Sequence, residues 1–220
     1  MKTSSLFLTL ALAGMMFASC SENIAGTDDD TTTFVTIDEK SAEVAALCGT
    51  CNFTGTLTEA EVSSLMEMRE EEKLAREVYL FLFQKYNHRI FSNIAKSEDA
   101  HTRAVLYLIN GFGLADPTPA ETTEFNNPLF TDLYAQLTAK GSENLVEALK
   151  VGALIEETDI ADLQTHIAET QNATIIRVYG NLLRGSKFHL KAFTNALKIQ
   201  GATYTPTVIS VEEYNEILEI

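Results

Sequence analysis

Glu98 and His101, in the stretch SEDAH (residues 97–101), are two groups that could bind one metal ion from a single helix. Residues three apart lie about 60° apart around a helix and about 4.5 Å apart along it. A carboxylate oxygen and an imidazole nitrogen at this spacing can therefore contact the same ion. The surrounding run, IFSNIAKSEDAHTRAVLYLI, is otherwise apolar at the positions that a helix would bury. The stretch thus predicts polar chemistry on the inward face of a helix.

Three further segments with helical periodicity carry an ionisable residue near the middle of their apolar stripe. These residues are Glu72, Glu156 and His189. Buried charges without partners cost several kcal/mol, so such residues must be paired or must coordinate an ion. Carboxylate oxygens and imidazole nitrogens suit iron or manganese better than they suit metals that prefer thiolates. We therefore predict a metal site, with one or two iron ions, or manganese, as the cofactor.

Each of these residues also has an explanation that needs no metal. Glu72 follows Glu71 and could lie on a solvated face, and His101 could be a hydrogen-bonded core histidine. The register at Glu156 is uncertain by one residue, because Glu157 follows it. Polar groups on four separate apolar stripes are an improbable coincidence, so the joint pattern favours metal binding.

The periodicity predicts four long helices and places the candidate ligands on them. These helices span residues 58–86, 90–110, 142–170 and 173–200. Thr58 and Glu61 form a capping-box signature at the start of the first helix. Nothing in the segments after Thr58 has the period of a strand, so the sequence predicts an all-α fold.

The connection between the second and third long helices is much longer than the other two. It covers residues 114–142 and contains a short helix that begins at Pro128 and ends at Gly141. Ser210 and Glu213 cap a short closing helix. Short, long and short connections are typical of ferritin-like folds. We therefore predict a ferritin-like four-helix bundle with a long crossover between its second and third helices, plus a short C-terminal helix.

The N-terminal residues read as a secretory signal that is too short to span a membrane. Lys2 and an apolar stretch precede Phe17-Ala18-Ser19-Cys20, which resembles a bacterial lipobox and implies cleavage before Cys20 and lipidation of its sulfur. Phe17 is less usual there than leucine, so plain secretion is the alternative. The predicted organisation is a signal peptide (1–19), a lipid-anchored flexible tether (20–57) and the bundle (58–220). The protein is thus expected in the cell envelope, anchored to a membrane through its lipid.

Charge and cysteine content exclude some classes of partner. Loss of residues 1–19 removes Lys2 and moves the formal charge from −15 to −16, which repels nucleic acid. Cys48 and Cys51 form a C-x-x-C that is expected to be an oxidised disulfide clip in an exported protein. No strand–helix unit surrounds it to suggest a redox role, and it supplies only half of a tetrathiolate metal site.

The four helical segments resemble the motifs of rubrerythrins and related ferritin-like proteins. The matching stretches are EEKLAREVY (residues 71–79), IAKSEDAH (94–101), LIEETDIADL (154–163) and LLRGSKFHLKAF (182–193). More closely, residues 58–218, roughly three quarters of the chain, resemble an uncharacterised branch of that superfamily, a domain of unknown function. Carried over by position, this resemblance implies five metal ligands: Glu72, Glu98, His101, Glu156 and His189.

The chain departs from the superfamily pattern at Ser186. A glutamate is expected three residues before His189, and a serine hydroxyl is a poor replacement for a bridging carboxylate. Asp159, one turn after Glu156, could supply the missing charge, as could Glu157 if the helix rotates. Otherwise the site would hold one metal, two metals with more water, or none. A separate alternative is that His189 pairs with Ser186 or Tyr79 and binds no metal.

Two functions follow from this site, and a purely structural role is the third alternative. The first is a di-iron or iron–manganese oxidoreductase that oxidises Fe(II) or reduces peroxide, with an unidentified electron donor. Tyr79 and Ser186 would then contact ligands without binding the metal, and the hydroxyls of Tyr79 and Tyr179 would reach the site. The second is a non-catalytic module that binds metal or docks a partner. A rubredoxin-like pair of C-x-x-C motifs is missing, and the sequence leaves homodimerisation open.

Overall fold

The computed structural model describes residues 51–119 and 123–220, and in these residues the chain is helical without any strand. The helices in this part of the chain are α1 (Glu59–Tyr86), α2 (Arg89–Gly111), α3 (Pro128–Gly141), α4 (Leu145–Glu169), α5 (Ala173–Ile199) and α6 (Val211–Glu219). The predicted all-α fold is confirmed: α1, α2, α4 and α5 form a bundle, α3 lies in the long crossover, and α6 is the short C-terminal helix.

Side-chain caps fix where the helices begin. The Thr58 side chain accepts a hydrogen bond from the backbone N–H of Glu61, and the Glu61 carboxylate accepts one from the backbone N–H of Thr58, so the predicted capping box is complete. At the start of α5, the Asn172 side chain accepts hydrogen bonds from the backbone N–H groups of Thr174 and Ile175. Helix α4 begins at Leu145, three residues later than predicted from Ser142, because the Asn144 side chain accepts from the backbone N–H of Glu147.

The four long helices pack as two antiparallel hairpins, α1–α2 and α4–α5. Helix α1 also lies antiparallel to α4, since Glu61 contacts Thr170 at one end and Tyr79 contacts Gly152 further along. It follows that α2 and α4 point the same way. The crossover between them therefore has to traverse the length of the bundle.

Buried charged residues on α1 fasten the crossover. Arg69 makes a two-pronged ion pair with Asp116, with Nε–Oδ1 and Nη2–Oδ2 distances of 3.0 and 2.9 Å. The Lys73 ammonium donates to two backbone carbonyls of the crossover. The Glu70 carboxylate accepts hydrogen bonds from two successive backbone N–H groups at the start of α3, including that of Asn127 at 2.9 Å. These contacts explain why charged residues of α1 are buried on the face opposite the core.

A single carboxylate fastens the segment between α5 and α6 to the outer side of α4. Glu157 is fully buried, with 0 % of its surface exposed. It accepts a hydrogen bond from the Tyr204 hydroxyl, and its Oε1 accepts from three successive backbone N–H groups at 2.6, 2.5 and 2.9 Å. The donors of those three bonds are Thr207, Val208 and Ile209. Glu157 thus faces away from the bundle interior.

The N-terminal end of the described chain packs on one end of the bundle. The Phe53 ring contacts the rings of Tyr107 and Phe112 at centroid distances of 5.3 and 5.2 Å. Cys51 is disulfide-bonded, and its predicted partner Cys48 lies outside the described residues. The predicted signal peptide, Cys20 and most of the predicted tether also lie outside them, so those boundaries stay predictions. No helix in the described residues is long and apolar enough to cross a bilayer.

Candidate metal centre

Two sets of three side chains meet in the interior of the bundle, within the part of the chain that the structure describes. In the first set, His101 Nδ1 lies 3.2 Å from Glu72 Oε2 and 2.9 Å from Glu98 Oε2. In the second, His189 Nδ1 lies 2.8 Å from Glu98 Oε1 and 3.2 Å from Glu156 Oε2. The five residues expected from the sequence are therefore brought together.

We call these two sets of three side chains the triads. Glu98 belongs to both of them, because its two oxygens face different histidines. Within each triad, one ligand atom from each residue lies within 4.8 Å of the others. The imidazole rings of His101 and His189 stack with their centroids 5.6 Å apart. The arrangement offers two neighbouring positions for a cation, with one carboxylate between them.

The triads are enclosed by the bundle. Glu72 is 1 % exposed and Glu156 is 2 % exposed, so neither lies on a solvated face. The uncertainty of register on α4 is also resolved, because Glu156 faces the triads and Glu157 faces the C-terminal segment. Helix rotation that would turn Glu157 inward does not occur.

The two hairpins supply their ligands in nearly the same way. In the first hairpin, α1 provides Glu72 and α2 provides Glu98 and His101. In the second, α4 provides Glu156 and α5 provides His189, but Ser186 occupies the position that corresponds to Glu98. The second hairpin therefore lacks a carboxylate, and Glu98 serves both sides.

Ser186 supplies no carboxylate itself, but it contacts the carboxylate of Asp159 on α4. Its hydroxyl donates a hydrogen bond to Asp159 Oδ2, and the other oxygen, Asp159 Oδ1, is buried with no hydrogen-bond partner among the described residues. Burial and the nearby charge of Glu156 raise the pKa of Asp159 to about 8. Asp159 thus lies beside the site, although it belongs to neither triad.

Tyr79 contacts a candidate ligand directly, whereas Tyr179 does not. The Tyr79 hydroxyl donates to Glu156 Oε1 at 2.5 Å and lies 3.3 Å from the Gly152 carbonyl oxygen. The hydroxyl of Tyr179 lies 3.2 Å from Ser64 Oγ and makes no hydrogen bond to any of the five candidate ligands. Tyr79 therefore fixes the orientation of Glu156.

The site carries more negative than positive charge when its groups are ionised. Burial favours neutral histidines, but the adjacent carboxylates outweigh it, raising the pKa of His101 well above its usual value and that of His189 to about 10. Burial likewise disfavours an ionised Glu98, but the two histidines hold its pKa well below the ordinary range. Burial also raises the pKa values of Glu72 and Glu156.

The donor set fits a divalent cation that prefers oxygen and nitrogen ligands. Four carboxyl groups, counting Asp159, face two imidazoles, so full ionisation of all six leaves an excess of two negative charges. Glu72 Oε1 is buried and has no hydrogen-bond partner within residues 51–119 and 123–220. A cation would both neutralise the excess charge and provide this oxygen with a partner.

We expect the metal-free protein to lose stability as the pH rises from about 5 to about 8. A carboxyl group whose pKa is raised by folding binds more protons in the folded than in the unfolded state. Its contribution to the free energy of unfolding is complete below the pKa that the group has in the unfolded chain. That contribution is lost as the pH approaches the pKa in the folded protein, which for Asp159 is about 8. The raised pKa values of His101 and His189 act in the same direction at higher pH.

Urea unfolding midpoints measured across this pH range with a chelator present test the expectation. Bound Mn²⁺ should reduce the loss of stability with rising pH, because the cation takes the place of the protons. A chelated protein that becomes more stable between pH 5 and pH 8 would contradict the charge balance described above.

Gly185 leaves room for the imidazole of His101. A Cβ atom at residue 185 would lie 2.7 Å from His101 Nε2, whereas a Cβ at Gly180 of the same helix would have nothing within 4 Å. The ring cannot easily withdraw, since its Nδ1 is held between Glu72 and Glu98. The glycine is therefore a condition for the observed position of His101.

A Gly185→Ala variant is expected to bind a divalent ion about tenfold or more weakly, because His101 is displaced. Gly180→Ala, the matched control, should keep the affinity and gain about 1 kcal/mol from helix propensity alone. Calorimetric titration and urea unfolding of both variants measure the two effects. Wild-type affinity in Gly185→Ala would show that His101 does not have to stay where it lies.

Sequence reasoning missed a second group of acids next to the site. Glu67 and Glu71 on α1 face Asp162 and His166 on α4. Their spacings of four residues were the available signal, but they lie beside the apolar stripe, where charged residues are usually solvated. Glu71 is nevertheless only 6 % exposed.

Residues 61–220 match the family model described as "Uncharacterized protein domain (DUF2202)". The chain is 49 % identical over 163 residues to the uncharacterized protein MJ0754 of Methanocaldococcus jannaschii, which covers 74 % of this chain and 88 % of that protein. The crystal structure titled hypothetical protein MJ0754 from Methanococcus jannaschii DSM 2661 is similar with a TM-score of 0.74 and 48 % identity. That similarity covers 76 % of this chain and 96 % of the solved one.

Proposed function

This chain belongs to the DUF2202 family, and we propose that it is a ferritin-like protein that binds two divalent metal ions, iron first among them, at two triads that share Glu98. The two sets of ligands are Glu72, Glu98 and His101, and Glu98, Glu156 and His189. Manganese is the alternative metal, because it prefers the same ligands.

The position of Glu98 carries the proposal. Its Oε1 lies 2.8 Å from His189 Nδ1 and its Oε2 lies 2.9 Å from His101 Nδ1. A carboxylate whose two oxygens face two separate groups of nitrogen and oxygen ligands is suited to lie between two cations. The long crossover between α2 and α4 supports the comparison with ferritin-like bundles, in which glutamates and a Glu-x-x-His motif face the bundle core.

We further propose that the activity is oxidation of Fe(II) or reduction of peroxide. Iron at such a site supplies one-electron chemistry toward oxygen or peroxide when it is bound. The chain holds the ligands in place through Tyr79, which donates to Glu156, and through Ser186, which holds Asp159. The burial of the triads limits access of bulk water to the reacting groups.

The experiment is a titration of the chelator-treated protein with Fe(II) without oxygen, followed by addition of oxygen or peroxide. We expect two Fe(II) per chain and oxidation faster than in protein-free buffer. Asp99→Asn is the matched control for a Glu98→Ala variant, because Asp99 follows Glu98 in the sequence but pairs with Arg76 on the outer side of the bundle. Failure of the wild type to bind Fe(II) or Mn²⁺ would contradict the proposal.

Ser186 supports a second candidate, a protein that binds metal without turnover. The superfamily pattern has a carboxylate at this position, whereas this chain provides one only through Asp159. A non-catalytic protein should bind the same ions but oxidise Fe(II) no faster than a Glu98→Ala variant. The titration above therefore separates the two functions.

An enzyme with this site would draw on a separate electron donor, because the sequence has one C-x-x-C and not the rubredoxin-like pair.

We also propose that the protein is an exported lipoprotein of the cell envelope, anchored to a membrane by lipid on Cys20. The support is the sequence of residues 1–20. A Cys20→Ala variant should lose incorporation of labelled fatty acid and leave the membrane fraction. Equal labelling of the variant and the wild type would contradict the anchor.

A further inference from the structure

A row of acidic side chains lies between α1 and α4 and ends at the triads. We call Glu67, Glu71, Asp162 and Asp159 the acidic row. Because α1 and α4 are antiparallel, the residues of the two helices face each other in successive steps toward Glu72. The outer step pairs Glu67 with His166, whose Nε2 lies 3.8 Å from Glu67 Oε2.

The row runs from partly exposed to fully buried positions. The Glu67 side chain is 32 % exposed, Glu71 is 6 % exposed and Asp159 is 5 % exposed. Asp162 lies within hydrogen-bonding reach of Glu71. The row therefore connects the surface near His166 with the inner face of the bundle.

Two oxygens of the acidic row are buried without a hydrogen-bond partner. Glu71 Oε2 and Asp159 Oδ1 are both buried and have no hydrogen-bond partner in the described part of the chain. The charges that act most strongly on Glu71 are those of Asp162 and Asp159, which are like its own. Burial and the nearby charge of Glu67 raise the pKa of Asp162 to about 6.

The acidic row is not explained by the structural roles of the neighbouring acids. Glu70 and Glu157 are also buried, but each binds backbone N–H groups of a connecting segment. Glu71 and Asp162 instead face each other, an arrangement that costs stability unless a cation or a proton lies between them. Proteins retain such costly arrangements mainly where function requires them.

We propose that the acidic row is the entry path by which divalent cations travel from the surface at Glu67 and His166 to the two triads. This inference rests on the proposed metal site. Successive carboxylates, at positions that become more buried, attract a hydrated divalent ion and replace its water ligands one step at a time. The hydroxyls of Ser64 and Tyr179, which lie 3.2 Å apart near the row, add polar groups to this interface.

The test is the rate of Co²⁺ uptake by the chelator-treated protein, followed by rapid mixing and the visible absorption of the bound ion. Asp162→Asn keeps the shape of the side chain but removes its charge, and Glu67→Gln does the same at the partly exposed end. Asp132→Asn, at an exposed position on α3, is the matched control for loss of one charge. Equilibrium stoichiometry is measured for each variant by metal analysis.

We expect Asp162→Asn to slow Co²⁺ uptake about tenfold or more and Glu67→Gln to slow it less, as steering by charge predicts. Both should reach the wild-type stoichiometry, and Asp132→Asn should match the wild type in rate. The metal-free Asp162→Asn protein should be at least as stable as the wild type at pH 8, because a like charge has been removed. A residue with a purely structural role would show the opposite change in stability.

The outcomes separate the path from the metal site. Wild-type uptake rates in both variants would overturn the entry path and leave the proposed metal site intact. A lower final stoichiometry in Asp162→Asn would also overturn the path, because it would make Asp162 a metal ligand. No binding of Co²⁺ by the wild type would overturn the metal site itself. If Asp162→Asn fails to fold, Glu67→Gln decides, because its side chain lies at the surface.

Discussion

Glu98→Gln is expected to lose metal binding at both triads, with the affinity for a divalent ion falling roughly 100- to 1,000-fold. The reason is that Glu98 is the carboxylate that both histidines contact. Burial opposes its ionisation, but the histidines keep its pKa low, so its charge is present at neutral pH. Glutamine keeps the shape of the side chain and removes that charge.

Variants that remove a carboxylate from one triad only provide the comparison for this prediction. Glu72→Gln should weaken one of two binding events and Glu156→Gln the other, whereas Glu98→Gln should weaken both. Titration calorimetry with Mn²⁺ and metal analysis per chain measure the difference. Two ions bound with wild-type affinity in Glu98→Gln would contradict the shared position of this carboxylate.

Glu157→Ala is expected to lower the free energy of unfolding by about 3–5 kcal/mol. Glu157 is fully buried and accepts hydrogen bonds from three backbone N–H groups and from the Tyr204 hydroxyl. Alanine would leave the three backbone donors without their acceptor. Because those donors lie between α5 and α6, residues 202–220 should detach from α4 first.

Urea unfolding measures this loss, and hydrogen exchange locates it. Tyr204→Phe is the matched control, since it removes one of the four hydrogen bonds and should cost about 1 kcal/mol. Protection of residues 202–220 in Glu157→Ala at the wild-type level would contradict the role assigned to the carboxylate.

The helices could be predicted because their signals are local. The capping box at Thr58, the apolar periodicity and the proline at residue 128 each depend on neighbours within one or two turns. The five candidate ligands could be predicted for the same reason, since each lies in the middle of an inward stripe. The start of α4 was misplaced because Ser142 and Asn144 can both cap a helix, and only the path of the chain decides between them.

The roles of adjacent glutamates could not be predicted in this way. In Glu70-Glu71-Glu72, the first binds the crossover, the second faces Asp162 and the third faces His101. Residue type is identical at the three positions, so the distinction depends on which segment passes each face of α1. Such packing depends on contacts between residues 29 or more positions apart, for which a single sequence gives no periodic signal.

Glu70 and Glu157 also limit how far α1 and α4 can turn about their axes. Each fastens its helix from the outside, one or two positions away from a residue that looks inward. Turning α1 or α4 to widen the interior would break those fastenings. We therefore expect the spacing of the two triads to be preset, so that the connecting segments, which supply no candidate ligand, would take part in selecting ions by size.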